Sequence, residues 1–157
     1  MALPRTIRDL IAEHPLLADL PAADTDLIAG CGRHVHIAAG RHVFREGEPA
    51  DTFYLVRSGQ VAVEVAPPGG PALIVSTAGP GSLVGWSWLF PPYRWQLDAR
   101  AVGEVSAVAI DGACLRGKCD VDNELGFRLM QRFAQLAVDN LLATRRQMLD
   151  LYGDRSG

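Results

Sequence analysis

The sequence predicts a mostly β domain with helices at both ends. Three features carry that expectation. Between about residues 33 and 111, short apolar runs alternate with polar residues at a period of two. Glycine and proline stand between those runs at spacings of roughly 8–12 residues, the pattern of a sandwich or barrel. From about 122 to 152 the period changes to 3.6 and stays there.

Taken in order, residues 4–31 hold two short helices, over 4–13 and 22–30. In the first, Ile7, Leu10 and Ile11 share a face behind Pro4, which a first helical turn tolerates. In the second, Asp24 or Thr25 can cap a turn carrying Leu27 and Ile28, and Gly30 or Gly32 can end it. The β region follows over 33–111. Val35 and Ile37 alternate with His34 and His36, Val61, Val63 and Val65 with Ala62 and Glu64, and Val105, Val108 and Ile110 fall in a further run. The punctuation is Gly40, Gly47, Gly59, Pro67 to Pro71, and Gly79-Pro80-Gly81.

The C-terminal helix carries two apolar stripes. Leu125, Leu129, Phe133 and Leu136 form one, assigned to the β core. Met130, Ala134, Ala137, Leu141, Met148 and Leu151 form the other, at heptad-like spacing, assigned to a twin helix in a homodimer. A single broad face packed within a monomer is the alternative. Asn140 interrupts the stripes and is read as fixing register or as exposed. Residues 153–157 are expected to be a disordered tail. All 157 residues are read as one domain.

Composition narrows the function. A net charge of −3 gives no basic stripe for nucleic acid. No apolar run is long enough for a membrane span, and the charged first segment is no signal peptide. Three scattered cysteines, Cys31, Cys114 and Cys119, suit a reducing compartment and a cytoplasmic protein. Their roles stay open between plain cysteine and thiol redox sensing; they do not meet the four-cysteine requirement of an iron–sulfur site. His34 and His36 share a strand face, yet no glutamate or third histidine stands at metal-ligand spacing, so no metal is expected. No nucleophile triad or phosphate loop appears, so an enzyme is not expected.

The stretch from Gly40 to Gly59, with its Glu46-Gly47-Glu48 turn, Phe53-Tyr54-Leu55 strand and Ser58-Gly59 turn, strongly resembles the cyclic nucleotide-binding domain of the catabolite activator and fumarate–nitrate regulator (Crp/Fnr-like) superfamily. The resemblance runs from residue 10 to about 152. It implies a double-stranded β-helix, a cupin-like jelly roll, with N-terminal helices and a long C-terminal dimerisation helix. It also implies that the apolar pattern ends near Leu151-Tyr152-Gly153, about where the family's hinge to a DNA-binding element begins, so no DNA reading is expected of this chain.

In nucleotide-binding members a cassette supplies a glutamate to the ribose and an arginine to the phosphate. The matching stretch here is 84–101. Gly85 and Leu89 keep their places, whereas Trp86 stands at the glutamate position and Trp95 at the arginine position, followed by Gln96 and Leu97. Losing the arginine removes a charge-assisted bond of roughly 1.5–3 kcal/mol. The resemblance therefore argues against conventional cyclic AMP binding, unless the neighbouring Arg94 takes the phosphate. Gly85, Trp86, Ser87, Trp88, Arg94, Trp95, Gln96 and Asp98 form the candidate ligand pocket, suited to a flat or apolar effector. The dimer candidates are Met130, Ala134, Ala137, Asn140, Leu141 and Met148. The function expected is a non-enzymatic sensor that acts through another, unidentified protein. The alternative is a ligand-free structural or interaction subunit whose pocket Trp86, Trp88 and Trp95 plug.

Overall fold

The computed structural model describes residues 5–153; Pro4 and residues 154–157, on which two of the expectations bear, lie outside them. Two short helices, α1 (Ile7–Glu13) and α2 (Ala22–Ala29), precede eight strands. Thr6 caps α1 in a capping box with Asp9, each side chain bonding the other residue's backbone N–H at 3.1 Å. The strands are β1 (Gly32–Ile37), β2 (His42–Phe44), β3 (Thr52–Ser58), β4 (Val61–Val65), β5 (Leu73–Ala78), β6 (Leu83–Val84), β7 (Asp98–Ala101) and β8 (Val105–Asp111). A 3-10 turn, Ser87–Leu89, lies between β6 and β7. The helices α3 (Gly112–Val121) and α4 (Asn123–Gly153) complete the chain.

The strands form two four-stranded antiparallel sheets, in the orders β1-β8-β3-β6 and β2-β7-β4-β5. Each sheet is open at both edges. The expected mostly β, closed cupin-like jelly roll is therefore corrected to a mixed α/β fold with about 40% helix and 28% strand. The reason is visible in the strands themselves. β2, β6 and β7 have only three, two and four residues, too few hydrogen bonds to close a barrel. Helices, rather than strands, cover the outer face of the first sheet.

That covering explains why β3 and β8 read as nearly continuous apolar runs. Phe53, Leu55, Val108 and Ile110 point at the helices, in a core with Ile11, Leu17, Ile28, Leu115, Leu125, Leu129 and Phe133. Their sequence neighbours Val56, Val105 and Ala107 point between the sheets, in a second core with Phe44, Val61, Val84, Trp95, Ala99 and Ala101. A strand buried on both faces loses its polar alternation. At the β3–β4 turn, Gly59 has a φ of +88° and lies so close to Glu104 that a Cβ would stand 2.2 Å from its carbonyl oxygen. Only glycine fits there.

The first stripe of α4 packs as its spacing requires. Leu125, Leu129 and Phe133 are buried and Leu136 half-buried. Polar clasps add to that seam: Arg128 pairs with the buried Asp24, its Nη2 donating at 2.9 Å, and Arg132 donates to the Leu16 carbonyl at 3.1 Å and pairs with Asp19. Gly153, expected in a tail, closes α4 instead.

The cysteines also differ from expectation. Cys31 and Cys114 are joined as a disulfide between the end of the α2 segment and α3, and Cys119 alone is free. Their separation of 83 residues hid the pairing, because β1 and β8 bring the two together only once the first sheet forms. Such a bond is unusual in a reducing compartment.

Candidate functional site

The cassette stretch leaves β6 at Val84 and returns at β7. Gly85 adopts a φ of +96°, and a Cβ there would meet the Trp95 ring at 2.6 Å. Trp95 lies flat against Phe44, with ring centroids 3.7 Å apart and planes 9° from parallel. It is 6% exposed and belongs to the core between the sheets. Its backbone is held on both sides, its N–H donating to Glu48 at 3.0 Å and its carbonyl accepting from Gly47 at 2.8 Å. The large ring and the missing Cβ at Gly85 thus fit each other.

Trp88 goes the other way. It sits in the Ser87–Leu89 turn, 1% exposed, in the core beneath the helices. Its ring stacks on Phe53 at 4.8 Å and meets Phe133 of α4 edge-on at 5.5 Å; Phe53 and Phe133 also meet edge-on at 5.5 Å. Gly112, at the start of α3, makes room for the Trp88 side chain, where a Cβ would fall 2.9 Å away. This aromatic trio joins the cassette turn directly to α4.

The remaining candidates divide between these two sides. Trp86 is half-buried and packs against the helical core. Ser87 is buried at the start of the turn and Gln96 exposed. Asp98 Oδ1 accepts from the Glu46 N–H at 2.7 Å, which ties the turn before β3 to β7. Arg94 is exposed, donates from Nη1 to the Gly47 carbonyl at 3.0 Å and pairs its backbone with Pro49. The eight residues expected to line one pocket therefore lie on both sides of a single turn. Their closeness in sequence carried no information about which core each ring enters.

Tyr93 stands in the cluster of aromatic residues with the three tryptophans, and several residues outside that stretch bear on the site without having been assigned to it from the sequence. Phe44, Phe53 and Phe133 are the ring partners just described. Arg116, on α3, lies over the Tyr93 ring at 4.2 Å and donates to the Trp88 carbonyl. Tyr93 has a φ of 54°, a conformation uncommon for a residue with a Cβ, and its carbonyl accepts from the Ala50 N–H at 2.7 Å. The signal for α3 was present: Asp111 Oδ1 caps the Cys114 N–H at 2.9 Å, and an aspartate just before a helix is a start mark.

The dimer candidates on α4, Met130, Ala134, Ala137, Asn140, Leu141 and Met148, are all exposed. The Asn140 carbonyl accepts from Thr144 Oγ1 at 2.9 Å, within the helix. His34 is exposed, and His36 pairs with Glu104. Among the described residues no three potential ligands gather around a metal site, and no helix is long and apolar enough to cross a membrane.

Comparisons agree with this architecture. Residues 34–122 match the family model of the cyclic nucleotide-binding domain. A CRP-like cAMP-activated global transcriptional regulator of Mycobacterium tuberculosis is 30% identical over 117 residues, 74% of this chain and 50% of the relative. The chain thus spans about half the length of that curated relative. Among solved structures, one from Geobacter metallireducens described as a cyclic nucleotide-binding protein is 27% identical, with a TM-score of 0.77 over 85% of this chain and 97% of that one. The N-terminal domain of a transcriptional regulator from Streptomyces coelicolor is also 27% identical, with a TM-score of 0.68 over 86% and 94%. The Mycobacterium relative is described as a transcriptional regulator and the Streptomyces structure as a domain of one. With that family model spanning more than half of its residues, the chain belongs to the cyclic nucleotide-binding domain family, in its Crp/Fnr-like form.

Proposed function

We propose that this domain is a non-enzymatic, homodimeric sensor or regulatory module whose cassette no longer performs conventional cyclic AMP recognition. One observation carries the reading. The side chain at the phosphate-arginine position, Trp95, lies stacked on Phe44 beneath Gly85, within the core between the sheets. An indole offers one donor and no charge where a phosphate needs a cation. Trp86 likewise brings no acceptor for a ribose hydroxyl. Arg94, the alternative phosphate ligand, is exposed and donates from Nη1 to the Gly47 carbonyl, so the titration below tests it directly.

The output passes through another protein. The Trp88–Phe53–Phe133 contact supports this route, since a shift of the cassette turn pushes on the first turns of α4. The net charge of −3 supports a role that does not itself engage nucleic acid. Cytoplasmic residence belongs to the same reading, with the Cys31–Cys114 bond then a transient, redox-dependent one.

Calorimetric titration with cyclic AMP and cyclic GMP tests it. The expected result is no saturable heat up to about 1 mM, an affinity already some three decades weaker than a micromolar sensor. Saturable heat that Arg94→Ala abolishes would overturn the reading, because it would make Arg94 the phosphate ligand.

A further inference from the structure

Beyond the filled interior of the sheets, a separate cavity of about 300 Å³ opens on the other side of the cassette turn. Its walls come from the turn, α3 and the first turns of α4, and include Trp88, Tyr93, Arg116, Asp120, Leu129 and Met130. None of Gly85, Phe44 or Trp95 lines it. That volume lies at the lower end of the range for small-molecule sites.

Two residues of its wall carry donors with unfilled hydrogen-bonding capacity. Trp88 Nε1 is buried with no hydrogen-bond partner, the one such side-chain atom among the described residues. Buried donors are nearly always paired in native proteins. Arg116 is held by the Tyr93 ring and by one bond to the Trp88 carbonyl. It forms no ion pair with any carboxylate among the described residues, although a guanidinium has five N–H groups to satisfy. The rest of the wall is largely apolar. Asp120 stands exposed at the rim, where its charge disfavours a dianion more than a monoanion.

We propose that this cavity is the effector site of the module, and that its ligand is a small monoanionic carboxylic acid with an apolar or aromatic body. The carboxylate takes the free donors of Arg116, and the body lies along the wall that Leu89, Tyr93 and Met130 present. This rests on the sensor reading and gives it a ligand class. The site also touches all three elements that a signal must cross: the turn, α3 and α4.

The test is a titration with 3-phenylpropionate, followed by tryptophan fluorescence and by calorimetry, with 2-phenylethanol and inorganic phosphate as controls. Saturable binding of the acid in the micromolar to low-millimolar range is expected, with neither control binding. Arg116→Gln should weaken it by about tenfold or more, the loss of one charge-assisted bond. Met130→Trp should also block it, and because Met130 belongs to the dimer stripe as well, the block must come with an unchanged mass in light scattering. No saturable signal, or equal affinity in both variants, would overturn the proposal. Binding of phosphate as tight as that of the acid would overturn the carboxylate assignment. The cyclic nucleotide titration is independent, so failure here leaves that result standing.

Discussion

At the scale of single residues, His14 is the group whose chemistry is most constrained. It is buried, its Nδ1 accepts from the Leu16 N–H at 3.2 Å, and Nε2 faces the Ser82 carbonyl at 3.4 Å. That arrangement needs the proton on Nε2 and none on Nδ1. Burial holds its pKa below histidine's ordinary 6.5, the bond to Ser82 opposing only in part. The unfolded chain therefore binds the proton first as pH falls. The stability linked to His14 is whole above 6.5 and is lost as pH drops from there through the lower folded value. Thermal unfolding between about pH 7 and about pH 5 should show a falling Tm. His14→Asn, which keeps an acceptor for Leu16, should flatten that decline; an unchanged slope would remove His14 as its source. This histidine was not legible as a buried group in the sequence, since it stands between a short helix and Pro15 with no periodicity around it. The tryptophans were conspicuous, but their separation into two cores was not. Two residues in a turn can point to opposite faces, and only the sheet beneath decides which.

Among the elements, α4 was the most legible and α3 the least. Over 31 residues a stripe repeats often enough to be read without ambiguity, and Leu125, Leu129 and Phe133 are buried as their spacing demands. The ten residues of α3 include two glycines and only one fully buried side chain of size, Leu115, so no apolar period could emerge. The strand runs were legible as strands, whereas the openness of the sheets was not. Edge closure depends on the length of β2, β6 and β7, and the alternation of a few residues does not determine where a strand stops. The second stripe of α4 leaves Leu141 and Met148 each 52% exposed on the free half of the helix. Apolar side chains repeated along an exposed helix favour a second helix over water. Leu141→Glu should convert a dimer to a monomer in light scattering while leaving the circular dichroism of the body intact. An unchanged mass would refute the stripe's assignment.

For the whole molecule, the disulfide is the longest-range covalent tie. It joins Cys31 to Cys114 across 83 residues and lies beside the bond from the Asp111 N–H to the Cys31 carbonyl, 2.8 Å. It fastens α3 to the helices that cover the first sheet, as the Lys118 ammonium does where it donates to Leu27 at 2.6 Å. Thiol titration in denaturant should find one thiol per chain before reduction and three afterwards, given three cysteines and one bond. Denaturant is needed because burial and nearby aspartates push the Cys119 thiol up, away from the reactive thiolate. Reduction should lower Tm by roughly 5–15 °C, the effect of about 2–4 kcal/mol on a domain of this size. Three thiols at the outset, with Tm insensitive to reductant, would mean that the bond does not form.

The shape of α4 has a mechanical consequence. Its first three turns are gripped by the body, through Leu125, Leu129, Phe133 and the Arg128 and Arg132 clasps, while its later turns are left exposed by the body of this chain. From Phe133 to Gly153 the exposed arm measures about 30 Å, at 1.5 Å per residue. The gripped end acts as a pivot and the far end as the tip of a lever. Each degree of tilt at the pivot carries the tip about 0.5 Å. A tilt of α4 by a few degrees, set off by movement around Trp88, would therefore carry its far end by about one to two ångströms.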